Sequence, residues 1–442
     1  MNNWIKRVAI FALGSLLLMT ACSSKPTESD STAISTAITP IPSTAISAEQ
    51  LLPAIQPIDQ IRYPDKKIIA LGEATHGNKE FTELKLQVFQ QLVEQKQVRA
   101  FAIEGDMGGS AKVNAYIQGG AGTAEEAVSE IGFAIYRTQE MAELAKWMRS
   151  FNEGREPADR IRFYGYDMQR YDNNKEQLLS ILNNSVPELG KEYASVLTEF
   201  TDATMNDLDS ALVQSTFSHL ESLNRRLDEQ QEVIIAALSE EQFLWAQQYA
   251  EGLKQNTELR LAGKKYGTVR DAYMADNVEW ILQYEERFHD LKSLFITGHN
   301  GHIGKTTATF GTAKITGELL KEKYGDDYFA IGTEFYQSSF LANDQQSSKR
   351  QQYQVQNSGD TRLAVLLHHT KLDSLYLDLD AARNRQDLTS YLETKQPMSS
   401  IGDMFSDSLS ANQAYYTQKM APALAYNGIL FVDTATPSTM LE

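Results

Sequence analysis

"KKIIALGEATHGNKEFTELKLQVFQQLVEQKQVRAFAIEGD", residues 66–106, decides the fold. Two short apolar runs, 66–72 and 98–106, read as buried strands. Between them Phe81, Leu84, Val88, Phe89, Leu92 and Val93 recur at helical spacing. A strand, helix, strand unit of this length closes as a right-handed crossover, so the two strands are expected to be parallel neighbours. Runs of the same texture at 160–167, 293–300, 328–335, 374–380 and 428–435 supply further strands. The fold class is therefore α/β: a central, mostly parallel sheet flanked by helices. From 171 to 265 the texture changes to helical periodicity with almost no β-branched runs. This stretch reads as a helical insertion subdomain, leaving 51–170 and 266–442 as the α/β domain.

Ligands of open α/β sheets bind beyond the carboxyl ends of the strands, so the residues at those ends are the candidates for chemistry. They are Glu73, Thr75 and His76; Glu104 and Asp106; Tyr166, Asp167 and Arg170; His299, Asn300 and His302; and Glu334 and Tyr336. In a mostly parallel sheet they converge on one rim. His76 lies in "GEATHG", where Gly72 and Gly77 allow a tight turn, and an imidazole there can take a proton from water if Glu73 or Glu104 fixes its tautomer. His76 is the expected general base, with Asp106, Asp167, Tyr166 and Glu334 expected to contact substrate.

"GHNGHIGK", 298–305, admits several readings. A phosphate loop fails, because five residues separate Gly298 from Gly304 where four are needed, and His299 stands where glycine is required. A metal site could combine His299 and His302 with His76 and a carboxylate, although no HExxH element occurs. A metal-free hydrolytic site could use the same imidazoles to donate to an oxyanion. The chain has no G-x-S-x-G elbow, which favours direct attack by water. "TVRDAYMADNVEWILQYEE", 268–286, reads as a helix whose Arg270 either steadies an oxyanion or pairs with Asp271 or Asp276.

The first 21 residues combine Lys6 and Arg7 with an apolar core and small residues before Cys22, the pattern of an export signal. "LLMTAC" resembles a bacterial lipobox, which implies cleavage before Cys22, lipidation of its thiol and membrane anchoring. As the single cysteine, Cys22 excludes an intramolecular disulfide and a multi-thiolate metal site. Residues 22–50, rich in Ser, Thr, Pro and Ala, are expected to form a disordered tether. The formal charge of −17, which loss of Lys6 and Arg7 makes more negative, disfavours nucleic acid as a partner.

"LGEATHGNKEF", "AFAIEGD", "WMRSFNEG" with "RFYGYDMQ", "VRDAYMADN", "ITGHNGHIGK", "YGDDYFAIGTEF" and "ILFVDTATPS", in that order, resemble the erythromycin esterase family over roughly 65–436. The resemblance implies a metal-independent hydrolase, without cofactor, that opens a macrolide lactone on an α/β core whose cleft is shaped by a helical subdomain. It places the water-activating histidine at His76, its acidic neighbours at Glu73 and Glu104, the second histidine region at His299 and His302, and the arginine of an RD element at Arg270. A small-molecule ester or lactone is then the expected substrate. The residues alone leave two alternatives: a haem- or metal-binding lipoprotein without turnover, and a metal-dependent hydrolase.

Overall fold

The computed structural model describes residues 45–306 and 313–441. Strands β1 (Ile55–Gln56), β2 (Ile68–Glu73), β3 (Ala100–Asp106), β4 (Arg162–Asp167), β5 (Leu294–His299), β6 (Tyr328–Asp344), β7 (Arg350–Gln356) and β8 (Ser374–Asp378) are followed by β9 (Gln396–Ser399), β10 (Met404–Phe405), β11 (Thr417–Met420) and β12 (Gly428–Ala435). Ten of them form one sheet in the order β1-β8-β12-β6-β2-β5-β3-β4, with β7 and β10 paired on β6; β9 and β11 form a separate pair. From β12 to β4 every pairing is parallel, and β8 and β1 add an antiparallel edge. The expected mostly parallel α/β sheet is what forms.

Strands β2, β3, β4 and β5 are buried along their whole length, as strands covered on both faces must be. Alternate side chains feed two cores. Ile69, Leu71, Phe101, Ile103 and Phe295 join the helices Lys79–Lys96 and Gln139–Asn152. Ile68, Ala70, Ala100, Ala102 and Ile296 join the helix Tyr266–His289 through Met274, Val278 and Ile281. A third core, mostly from Tyr171 to Leu253 with Met107 added, lies among the helices of residues 172–261, including Ser210–Glu229 and Glu240–Leu261.

Three expectations are corrected. β2 and β3 are parallel but not neighbours, because β5 lies between them. The 18-residue helix Lys79–Lys96 spans the roughly 10 Å of two strand spacings, which leaves room for the intervening strand. β6 does not end at 335 but runs 17 residues to Asp344, its second half alternating buried and partly exposed side chains as it pairs antiparallel with β7. Finally, the chain is packed before residue 51: Ile46, Ala48 and Leu51 are buried, and Ala48–Leu51 is helical. The signal sequence, Cys22 and the tether up to residue 44 lie outside the described residues.

Residues 436–441 run back over the carboxyl end of β2. Gly77 O accepts from Ser438 N at 3.0 Å, Asn78 Nδ2 donates to Thr436 O at 2.9 Å, and Gln139 N and Leu441 N bond to Thr439 O and Arg137 O. The segment thereby straps the start of two helices.

Candidate active site

The insertion of β5 is what assembles the site. In the β2–β5 register Glu73 is paired with His299, and Ile103 of β3 is paired with Thr297 of β5, so three carboxyl ends meet. After β2 the chain turns sharply. Gly77 is obligatory there, since a Cβ would lie 2.0 Å from Leu341 O. The turn places His76 Nδ1 2.7 Å from Glu73 Oε1. The other oxygen of Glu73 accepts from Lys85 Nζ at 2.6 Å, and both side chains are buried. Burial alone would push the Glu73 carboxyl up, but the Lys85 ammonium and His76 hold it at about 2. Burial lowers the His76 imidazole, and the bond to Glu73, with the charges of Glu73, Glu104 and Asp403, more than reverses this, leaving its pKa raised.

A second group is built on the helix Tyr266–His289. Arg270 Nη2 donates to Asp167 Oδ2 at 2.6 Å and to Glu104 Oε1 at 2.7 Å. Glu104 Oε2 accepts from His299 N at 2.7 Å, tying β3 to β5. His302 Nδ1 lies 2.7 Å from Asp271 Oδ1, which Thr316 Oγ1 also engages at 2.8 Å. His302 Nε2 lies 3.1 Å from Arg270 Nη1. Burial opposes charge on His302, yet Glu104 and Asp271 raise its pKa; Glu104 itself is held well below the carboxylate range, His302 and Arg270 overcoming the effect of burial.

His299 sits between the other two imidazoles, its ring centroid 5.0 Å from that of His76 and 6.3 Å from that of His302. Gly301 N donates to its Nδ1 at 3.2 Å, which assigns the proton to Nε2. Burial, reinforced by the charge of His76, lowers its pKa to about 3, so it is neutral across the physiological range. Its Nε2 is buried and has no partner among the described residues. A buried N–H without an acceptor is costly unless a ligand or water meets it. All three histidines line one cavity of about 230 Å³, together with Glu104, Asp167 and Arg270. Phe133 and Ile135 add an apolar side, and Gln169 and Asp403 complete the rim.

His76, Glu73, Glu104, His299, His302, Arg270 and Asp167 are thus brought together. The structure moves three expected substrate contacts elsewhere. Tyr166 is fully buried beneath the site, donating to Thr297 O at 2.9 Å. Asp106 caps the next helix, accepting from Gly109 N at 2.7 Å and Asn174 Nδ2 at 2.5 Å, and burial reinforced by Asp202 pushes its carboxyl to about 8. Glu334 is fully buried within β6, where it accepts from Ser399 N at 2.9 Å, because the strand does not end there.

Sequence reasoning missed Lys85 and Asp403. Lys85 carried a signal: it falls on the apolar stripe of its helix, one residue after Leu84, where a solvated lysine has no place. Asp403, on an irregular turn, carried none; Arg350 Nη2 and Asn343 Nδ2 hold it. Among the described residues no three His, Cys, Asp or Glu are arranged to hold a metal ion.

Residues 93–435 match the erythromycin esterase family. The chain belongs to that family. An erythromycin esterase type II of Escherichia coli is 24% identical over 298 residues, 62% of this chain and 70% of the relative. Among solved structures, a Bacillus cereus protein superposes with a TM-score of 0.77 at 19% identity, covering 89% of this chain and 98% of that one. An erythromycin esterase mutant in its open conformation superposes with a TM-score of 0.65 at 18% identity, covering 86% and 93%. These likenesses agree with the fold described above, and membership of the erythromycin esterase family supports a hydrolase of that type.

Proposed function

We propose that this erythromycin esterase family member hydrolyses a carboxylic ester or lactone with a water molecule activated by His76, without a metal ion. One juxtaposition carries the reading: a histidine backed by a buried carboxylate and lysine stands beside a neutral histidine whose Nε2–H has no partner among the described residues. Neutral His76 removes a proton from water at Nε2, and the hydroxide adds to the carbonyl carbon. Glu73, kept ionised by Lys85, stabilises the imidazolium that forms. The oxyanion of the tetrahedral intermediate accepts from His299 Nε2–H, while Arg270, oriented by its contact with His302 Nε2, supplies positive charge beside it. Collapse breaks the bond to the alkoxide, which takes the proton back from His76, giving an acid and an alcohol, or one hydroxy acid from a lactone. Phe133 and Ile135 favour a substrate with an apolar body.

The test is a hydrolysis screen of macrolide and simple lactones and of esters, with and without chelator, on the parent chain, His76→Ala and His299→Phe. Turnover insensitive to chelator is expected, with both variants reduced by about a hundredfold or more. Turnover that survives in His76→Ala, or vanishes on chelation, overturns the mechanism; stoichiometric haem or metal without turnover replaces it with a binding function. The leader argues in addition for export and anchoring through lipidated Cys22, and Cys22→Ala should then leave the membrane fraction.

A further inference from the structure

A larger cavity, about 590 Å³, lies at the amino-terminal edge of the sheet, where β2, β6 and β12 begin, and so opposite the strand ends that carry the catalytic groups. Four cations line it: Lys66, Lys305, Lys321 and Arg383. Lys321 is neutralised by Asp326 at 2.9 Å and Arg383 by Glu393 at 2.9 Å. Asp380, also in the wall, accepts from Asn427 Nδ2 at 2.8 Å. Lys66 and Lys305 form no ion pair among the described residues, although both are partly buried. In a chain of formal charge −17 a recess lined by four cations against two carboxylates, Asp326 and Asp380, is out of keeping with its surroundings. Tyr328, Phe329 and Leu424 supply apolar wall between the charges.

We propose that this cavity binds a small organic dianion of the phosphate monoester class, its two negative charges met by Lys66 and Lys305 and its organic part by the Tyr328, Phe329 and Leu424 wall. Two point charges on flexible stems suit a phosphate group, which accepts from several directions at once. An apolar wall beside them selects an esterified phosphate over the bare ion. Burial, with Lys321 and Arg383 nearby, lowers the Lys305 amine to about 8 against the opposing charges of Asp380 and Asp326, so a further anion would favour its charged form. The site is independent of the hydrolytic reading.

Isothermal titration of the full chain with phenyl phosphate, inorganic phosphate and phenol tests it. Phenyl phosphate should bind at one site, inorganic phosphate more weakly, and phenol not at all. Lys66→Met/Lys305→Met should weaken phenyl phosphate by about tenfold or more, Lys66→Arg/Lys305→Arg should retain it, and His76→Ala should leave it unchanged. If the double methionine variant does not fold, Lys66→Met alone carries the comparison. Absence of phenyl phosphate binding at millimolar concentration, binding indifferent to the lysines, or binding lost in His76→Ala would each overturn the proposal.

Discussion

Lys85 shows how much one unexpected side chain decides. Its ammonium is what allows a carboxylate to stay ionised while buried, and Glu73 in turn sets the basicity of His76. In Lys85→Met burial pushes the Glu73 carboxyl up, the support for imidazolium weakens, and the His76 pKa falls. The acid limb of the pH dependence of kcat/KM should therefore move to lower pH, with the plateau reduced by about ten- to a hundredfold. Stability should drop by about 3–5 kcal/mol, the cost of leaving one member of a buried pair alone; a melt and a pH profile measure both, and an unmoved acid limb would remove Lys85 from the relay. In the proposed mechanism His76 serves as a base only when neutral, and its pKa is raised. Activity should accordingly climb with pH through an apparent value above the ordinary imidazole range, and a profile flat across pH 6–8 would contradict this. His76, Glu73, Glu104, His299 and His302 were legible because each is a polar residue at or just beyond the carboxyl end of an apolar run, and Arg270 because it opens a helix that resembles the family's RD element. Lys85 was overlooked because lysine is ordinarily solvated, and Glu334 was misplaced because nothing local to 335 distinguishes a strand end from a strand that continues as a half-exposed hairpin.

Among the elements, β5 matters most, since it arrives last between β2 and β3 and brings His299 with it. Two glycines, Gly72 and Gly298, face each other in register at this junction. A Cβ on Gly298 would lie 2.4 Å from Tyr166 Oη and 2.9 Å from Glu104 Oε2. Gly298→Ala should displace Glu104 from His299 N and Arg270, costing about 1–3 kcal/mol of stability and most of the activity; an unchanged melting temperature would show that the junction has slack. Strand and helix identities were readable because fully buried strands form unbroken apolar runs and the helices between them keep a 3.6-residue period. Strand order was not, because the choice between adjacent β2 and β3 and an inserted β5 depends on partners 194 and 226 residues away that leave no local trace.

At the scale of the whole molecule the amino-terminal third supplies the proposed base and the last residues hold it in place. Ser438 bonds Gly77 and Thr436 bonds Asn78, the two residues that follow His76. Removing residues 436–442 forfeits several backbone hydrogen bonds at about 1 kcal/mol each, and should lower both the melting temperature and kcat. Full activity in the truncated chain would show that the turn at Gly77 is self-supporting. A polypeptide that stops before residue 436 possesses all three imidazoles but lacks the fastening of the first. The turn is clasped only once that stretch has been made, so a stop codon just ahead of it would yield a product whose proposed centre is left open.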